Sequence, residues 1–144
     1  MSKATKKQLH EFRIVRLKRG DIVVTRSGSI GRVSMITKQF DNVIASDDLI
    51  RIRIDDEEIR HYLYCYLQSK EAIDQMMRDE YGSIQQHLEP AHISNLLIPI
   101  PSDFSLLSGI ILSSKNAFLK KEESYEQLQG GIALVRRLFD SINT

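Results

Sequence analysis

The chain holds one cysteine, three prolines and no tryptophan in 144 residues. The lone thiol, Cys65, excludes an internal disulfide framework of the kind that staples small secreted domains. No apolar run is long enough to cross a bilayer; Leu96–Ile98 and Ile110–Leu112 are short and interrupted. Met1-Ser2-Lys3-Ala4-Thr5-Lys6-Lys7 has no apolar stretch of the secretory type, so a cytoplasmic chain without a membrane segment is expected.

Catalytic signatures are scarce as well. Pro90, Pro99 and Pro101 include no adjacent pair, so the Pro-Pro core of an amino-methyltransferase motif is missing. No Asp or Glu has Lys two positions later, which removes the metal-holding pair of restriction-type nucleases. Gly28-Ser29-Ile30-Gly31-Arg32 lacks the Gly-Lys-Ser/Thr end of a phosphate loop, and no Gly-x-Gly-x-x-Gly occurs. His61 and Cys65 stand four apart on a predicted helix, but two ligands are half a zinc site, and His87 and His92 do not complete it by spacing. Burial of Cys65 as a small hydrophobe is the better reading. Ser27, Ser29 and His87 have the types for a nucleophile and base, yet nothing in the sequence links them. The expectation is a protein with no metal, no cofactor and no catalysis.

Hydrophobic residues make up 42% and charged residues 27%, an ordinary balance for a globular core. The net charge of +1 hides a strong asymmetry. Residues 1–40 carry ten Lys/Arg against Glu11 and Asp21, or +8; residues 41–100 carry five against twelve, or −7; the rest balances at five and five. Such a distribution suits a basic face for a polyanion, or charges that mix once the chain folds.

The pattern predicts α/β (α+β) structure: a small, mostly antiparallel sheet with flanking helices, then one long helix. Short strands are predicted over Phe12–Leu17, Ile22–Thr25, Arg32–Thr37, Asn42–Ala45 and Asp48–Ile54, punctuated by Gly20, Gly28 and Gly31. In the last of these Ile50, Ile52 and Ile54 face one way and Arg51 and Arg53 the other, where balancing Asp55–Glu58 is the safer role for the arginines. Asp55 or Asp56 caps a helix striped by Ile59, Leu63, Tyr66 and Leu67. Ser69 caps a second, with Ile73, Met76 and Met77 inward, and Gly82 is a plausible stop. Pro90 opens a short third helix, and Leu97–Pro101 reads as an edge strand.

Ser102 or Asp103 then caps the long helix. Alternating steps of four and three residues give Leu107, Ile111, Ser114, Phe118, Lys121, Tyr125, Leu128, Ile132, Val135, Phe139 and Ile142. Nine of the eleven are apolar, the spacing of a coiled-coil seam. Two parts are therefore expected: a globule over residues 1–101 and a pairing helix over 102–144.

Three stretches resemble a known family when taken in order. They are residues 17–33 (LKRGDIVVTRSGSIGRV), residues 62–69 (YLYCYLQS), and residues 82–88 (GSIQQHL) with 92–101 (HISNLLIPIP). Their order is similar to the distal part of a target-recognition domain in the specificity subunit of type I restriction-modification systems. The resemblance implies a module that docks on double-stranded DNA and tethers methyltransferase and restriction subunits, with the long helix as a spacer. A full subunit of that family carries two recognition domains and two spacer helices, whereas this chain shows part of one domain and one helix. The family's usual Gln-x-x-Ile helix start is replaced by Phe104-Ser105-Leu106-Leu107.

Candidate DNA contacts follow from side-chain chemistry. Arg26, Arg32 and Lys38 can neutralise phosphates, and Ser27 and Ser29 can donate beside a glycine that lets the backbone approach. Gln85, Gln86 and His87 are candidates for base edges, since glutamine pairs bidentately with adenine. Against these stand bland readings: a tight turn whose glycines supply positive φ, and a loop satisfying its own backbone. The seam residues are expected to bind a second copy or another specificity chain. A coiled-coil adaptor that reads no DNA is the alternative function, and a cryptic hydrolase at the serine loop a remote third.

Overall fold

A computed structural model of the chain describes residues 16–78 and 87–142. Three strands, β1 (Ile22–Thr25), β2 (Val33–Met35) and β3 (Leu49–Ile52), form an antiparallel sheet in the order β2-β1-β3. Around it lie α1 (Glu57–Leu67), α2 (Lys70–Met76), α3 (Pro90–Ser94) and α4 (Phe104–Ile142). This is the α+β architecture that the spacing of strand and helix signals predicts.

The central strand is built from β-branched residues, which fit a pleated surface buried on both sides. Ile22 and Val24 are fully buried on the helix side, opposite Met35 and Val33 on β2 and Ile52 and Ile50 on β3. Val23 points the other way into a smaller cluster with Leu17 and Ile36. The larger clusters join Ile22 and Met35 to Leu63, Leu67, Ala72 and Phe118, and Val24 to Ile50, Met76 and Leu88. The turn before β1 requires Gly20, whose φ is +88°; a Cβ there would also meet the Arg60 guanidinium at 3.2 Å.

The caps sit where the polar signals place them. Asp56 accepts from Ile59 N and Ser69 from Ala72 N, and Asp103 Oδ1 accepts from the backbone of Ser105 and Leu106. Several local expectations are corrected. Leu97–Pro101 pairs with no strand among the described residues. Its carbonyls accept instead from tyrosines of α1, Leu97 O from Tyr66 at 2.8 Å and Pro99 O from Tyr62. Among the described residues Asn42–Ala45 takes part in one bridge, Arg16 to Ile44, at the edge of the undescribed residues 12–15. On α1 the buried face includes His61 in place of Ile59, which is 58% exposed; on α2 it is Ala72, not Ile73, that is buried beside Met76. Arg53 pairs with Asp21 through two 2.7 Å bonds rather than with the acidic run that follows it. The predicted strand residues 12–15 and the Gly82 stop lie outside the described residues.

Helix α4 lies against α1. Ser114, Phe118 and Glu122 are its buried residues. His61 Nδ1 is 2.9 Å from Ser114 Oγ, and its ring meets Phe118 edge-on. Glu122, 4% exposed, takes both nitrogens of the Arg19 fork at 2.8 and 2.9 Å and the backbone N–H of Lys38 at 2.7 Å, while its carbonyl accepts from Gln39. Beyond Glu122 every described residue of α4 is exposed. The heptad seam is thus divided. Leu107, Ile111 and Phe118 turn toward the chain's own α1, Tyr125 meets Phe40 edge-on, and Leu128, Ile132, Val135, Phe139 and Ile142 face outward. A 3.5-residue repeat drifts ~20° per heptad on a straight helix, so over five heptads it leaves the side on which it began.

The Arg19 fork holds the Glu122 carboxyl below its ordinary value of 4.5, against the opposing push of burial, with Lys38 N assisting. Burial holds the His61 imidazole below 6.5. Both groups make the fold weaken as acid is added. Below 6.5 the unfolded chain takes up a proton that buried His61 resists, and below 4.5 one that Glu122 resists. Denaturant titrations should therefore show stability falling from pH 7 to pH 3, with Glu122→Gln flattening the lower part of that fall. At neutral pH Glu122→Ala should cost about 2 kcal/mol, the scale of losing hydrogen bonds to a charged group.

Candidate nucleic-acid interface

The β1–β2 turn and the 87–89 segment are far apart in sequence but adjacent in the fold, and Arg26 joins them. Its backbone N–H donates to Asp48 O and its carbonyl accepts from Leu88 N at 3.0 Å. Its guanidinium donates to Leu88 O at 3.1 Å, to Asp47 O at 3.2 Å and to Glu89 Oε1 at 2.8 Å. Leu88, fully buried beside Val24, Ile50 and Met76, pins the second segment to the core. One end of the sheet thus gathers the β1–β2 turn, the loop before β3 and the start of α3.

The turn itself is built by Thr25. Its hydroxyl donates to Ser29 O and accepts from Arg32 N at 3.0 Å, while Gly31 N donates to Thr25 O. Gly28 and Gly31 have φ of +68° and +77°, the left-handed region that L side chains rarely enter. Their conformational role is met within the turn.

The candidate contacts divide accordingly. Ser29 and Arg32 are exposed at the tip, and Arg32 has no carboxylate partner among the described residues. His87 is exposed and precedes the buried Leu88. Arg26 is committed to the internal bonds above, and Ser27 donates to Asp48 Oδ1 at 2.6 Å. Lys38 stands at the opposite end of the β1–β2 hairpin, in a short helical turn (Lys38–Phe40), paired with Glu126 of α4. Gln85 and Gln86 lie outside the described residues. Sequence reasoning missed Asp48 and Glu89, which border the turn; the apolar Leu88 after a polar run was the signal that this segment is anchored. Arg51 donates to Arg16 O at 3.1 Å on the outer side of β3.

No metal-binding cluster of three or more His, Cys, Asp or Glu occurs among the described residues, and none of the described helices is long and apolar enough to cross a membrane.

With glycine-shaped turn, anchored loop and exposed arginine in place, the comparison with known families is informative. Residues 2–105 match the type I restriction modification DNA specificity domain. The chain belongs to that family. The matched region covers the sheet, α1 to α3 and the Arg26 junction, and ends at the first turn of α4. No individual curated protein matches the chain. The specificity domain is a DNA-recognition unit of a type I restriction-modification system.

If Arg26 is a junction, its substitution should loosen a place remote in sequence. Arg26→Ala should speed hydrogen exchange at the Leu88 amide at least tenfold, and Arg26→Lys should not restore it, because an ammonium cannot bridge three acceptors in a planar fork. Amide exchange followed by NMR reads both.

Proposed function

We propose that this chain recognises a half-site on double-stranded DNA through the end of the sheet formed by the β1–β2 turn and the 87–89 segment. The observation that carries the reading is the Arg26 junction, which sets the exposed Ser29, Arg32 and His87 on one rigid end of the domain. Arg32 is assigned to phosphate, and Ser29 with the glycine backbone to register. Base edges fall to His87 and its neighbours Gln85 and Gln86. Arg26 and Ser27 support this surface by positioning it, and Lys38 serves the α4 junction. The chain itself performs no chemistry; methyl transfer and cleavage belong to separate methyltransferase and restriction subunits, which α4 tethers.

A second reading is a coiled-coil adaptor that no longer reads DNA. It is favoured by the internal pairing of Arg26 and Lys38, two of the three cations the sequence offers as phosphate contacts, and by the bond of Ser27 to Asp48. Salt-dependent binding separates the two. Arg32→Glu should weaken binding to duplexes of any sequence and lower the slope of log affinity against log salt by about one. Unchanged binding in Arg32→Glu, or no salt-sensitive binding by the unmodified chain, would leave the adaptor as the better account.

A further inference from the structure

We propose that the cavity where α1, α4 and the turn before β1 meet binds one small tetrahedral oxyanion, of the class of free phosphate or sulfate. The inference does not rest on the reading above and needs no DNA.

The cavity measures about 80 Å³. Its floor is buried and consists of His61 of α1, Met35 of β2 and Phe118 of α4. Its rim is charged. Arg19 comes from the turn, Glu57 and Arg60 from α1, and Lys115 from α4. Three cations and one carboxylate thus surround one small volume. That volume equals roughly two or three waters at ~30 Å³ each, which suits four oxygens around one central atom. A phosphodiester carries a sugar on either side and is too bulky to enter.

The balance of charge sets the sign of the guest. Lys115 stands 3.0 Å from Glu57, and those two charges cancel. Arg19 lies over the Phe118 ring, with Cζ 5.2 Å from its centroid, and is matched by Glu122. That pair uses Nε and Nη2 of Arg19 and leaves its Nη1 to spare. Arg60 has no carboxylate partner among the described residues, so its charge is in excess. Its guanidinium lies against Gly20, where an added Cβ would stand 3.2 Å from Cζ and Nε. Nη1 donates to Ile54 O at 3.1 Å, but Nε is buried and finds no acceptor among the described residues. A buried, charged donor without a partner is costly. An anionic oxygen answers both the missing bond and the surplus charge, which a neutral water does not.

His61 senses the same field. Burial first, and then the charges of Arg60, Lys115 and Arg19, hold its imidazole below 6.5 against the opposing pull of Glu57. Its Nδ1 is fixed 2.9 Å from Ser114 Oγ, and its ring meets Phe118 edge-on. An anion in the cavity offsets the three cations and favours the protonated ring. The walls come from α1, β2, α4 and the turn before β1, so an occupant also braces α4 on the globule. Whatever binds only the assembled junction stabilises it.

Amide and imidazole NMR of the full chain tests the site, with sodium phosphate titrated against sodium chloride at matched ionic strength. The expected result is a saturable shift of the Gly20, Arg60, His61 and Lys115 amides, complete by about 10 mM phosphate. The His61 titration midpoint should rise at the same time. Arg60→Gln should weaken phosphate binding about tenfold, the loss of one charge-assisted hydrogen bond. Lys115→Gln, on the partly exposed rim, should weaken it severalfold without disturbing the floor. Equal shifts with chloride, or none with phosphate, overturn the proposal, since the cavity then holds water alone. A short duplex supplies the second arm. Shifts at these four amides with duplex but not with free phosphate would assign the cavity to the DNA backbone and also overturn it. Shifts with phosphate leave the site standing whatever becomes of DNA recognition.

Discussion

The buried carboxylate of Glu122 holds the two parts of this molecule together. It lies near the middle of a 39-residue helix, is nearly inaccessible to water, and gathers the Arg19 fork from the turn before β1 and the Lys38 amide from the turn after β2. A charge so placed is tolerable only because its lone pairs are taken by donors on the globule. One turn away on the same side Phe118 enters the core, and two turns away Ser114 meets His61. These three residues fix which side of α4 belongs to the globule. They thereby fix which sides remain for other chains.

The sheet transmits that constraint to its other end. Asp21 sits at the start of β1, where burial pushes its carboxyl up, and the bonds from Arg53 and Lys18 N outweigh that push and leave it below its ordinary value. Four residues further along the same strand, Thr25 and Arg26 close the turn and capture the 87–89 segment. The α4 junction and the end proposed for DNA therefore lie at opposite ends of one short strand. On that proposal, DNA met at one end would leave the helix free to engage protein at the other.

Elements with strong local signals were legible in the sequence: the β-branched run of β1, the Asp56, Ser69 and Asp103 caps, and the length of α4. The family, too, was legible in the order of its short motifs. What escaped was decided by partners distant in sequence. Leu97–Pro101 looks like an edge strand locally, but the Tyr62 and Tyr66 hydroxyls claim its carbonyls. Arg53 looks like a counterion to the acidic run after it, but Asp21 is nearer in space. The seam of α4 counts correctly at 3.5 residues, yet a lone helix turns every 3.6, so one seam became two faces. In the site, Arg26 and Ser27 have the chemistry of DNA contacts, and only the fold reveals that their bonds are spent inside. Glu122 gave no signal beyond being a carboxylate on a helix.

The central claim is that DNA is met at the Arg26 end of the sheet, away from the α4 junction. Backbone amide shifts followed by NMR during titration with a short duplex test it most directly. The account predicts that amides of residues 27–32 and 87–89 move together as duplex is added, while those of Lys38, Gln39 and residues 118–122 stay in place. Shifts concentrated at the α4 junction, with the β1–β2 turn unmoved, would contradict it.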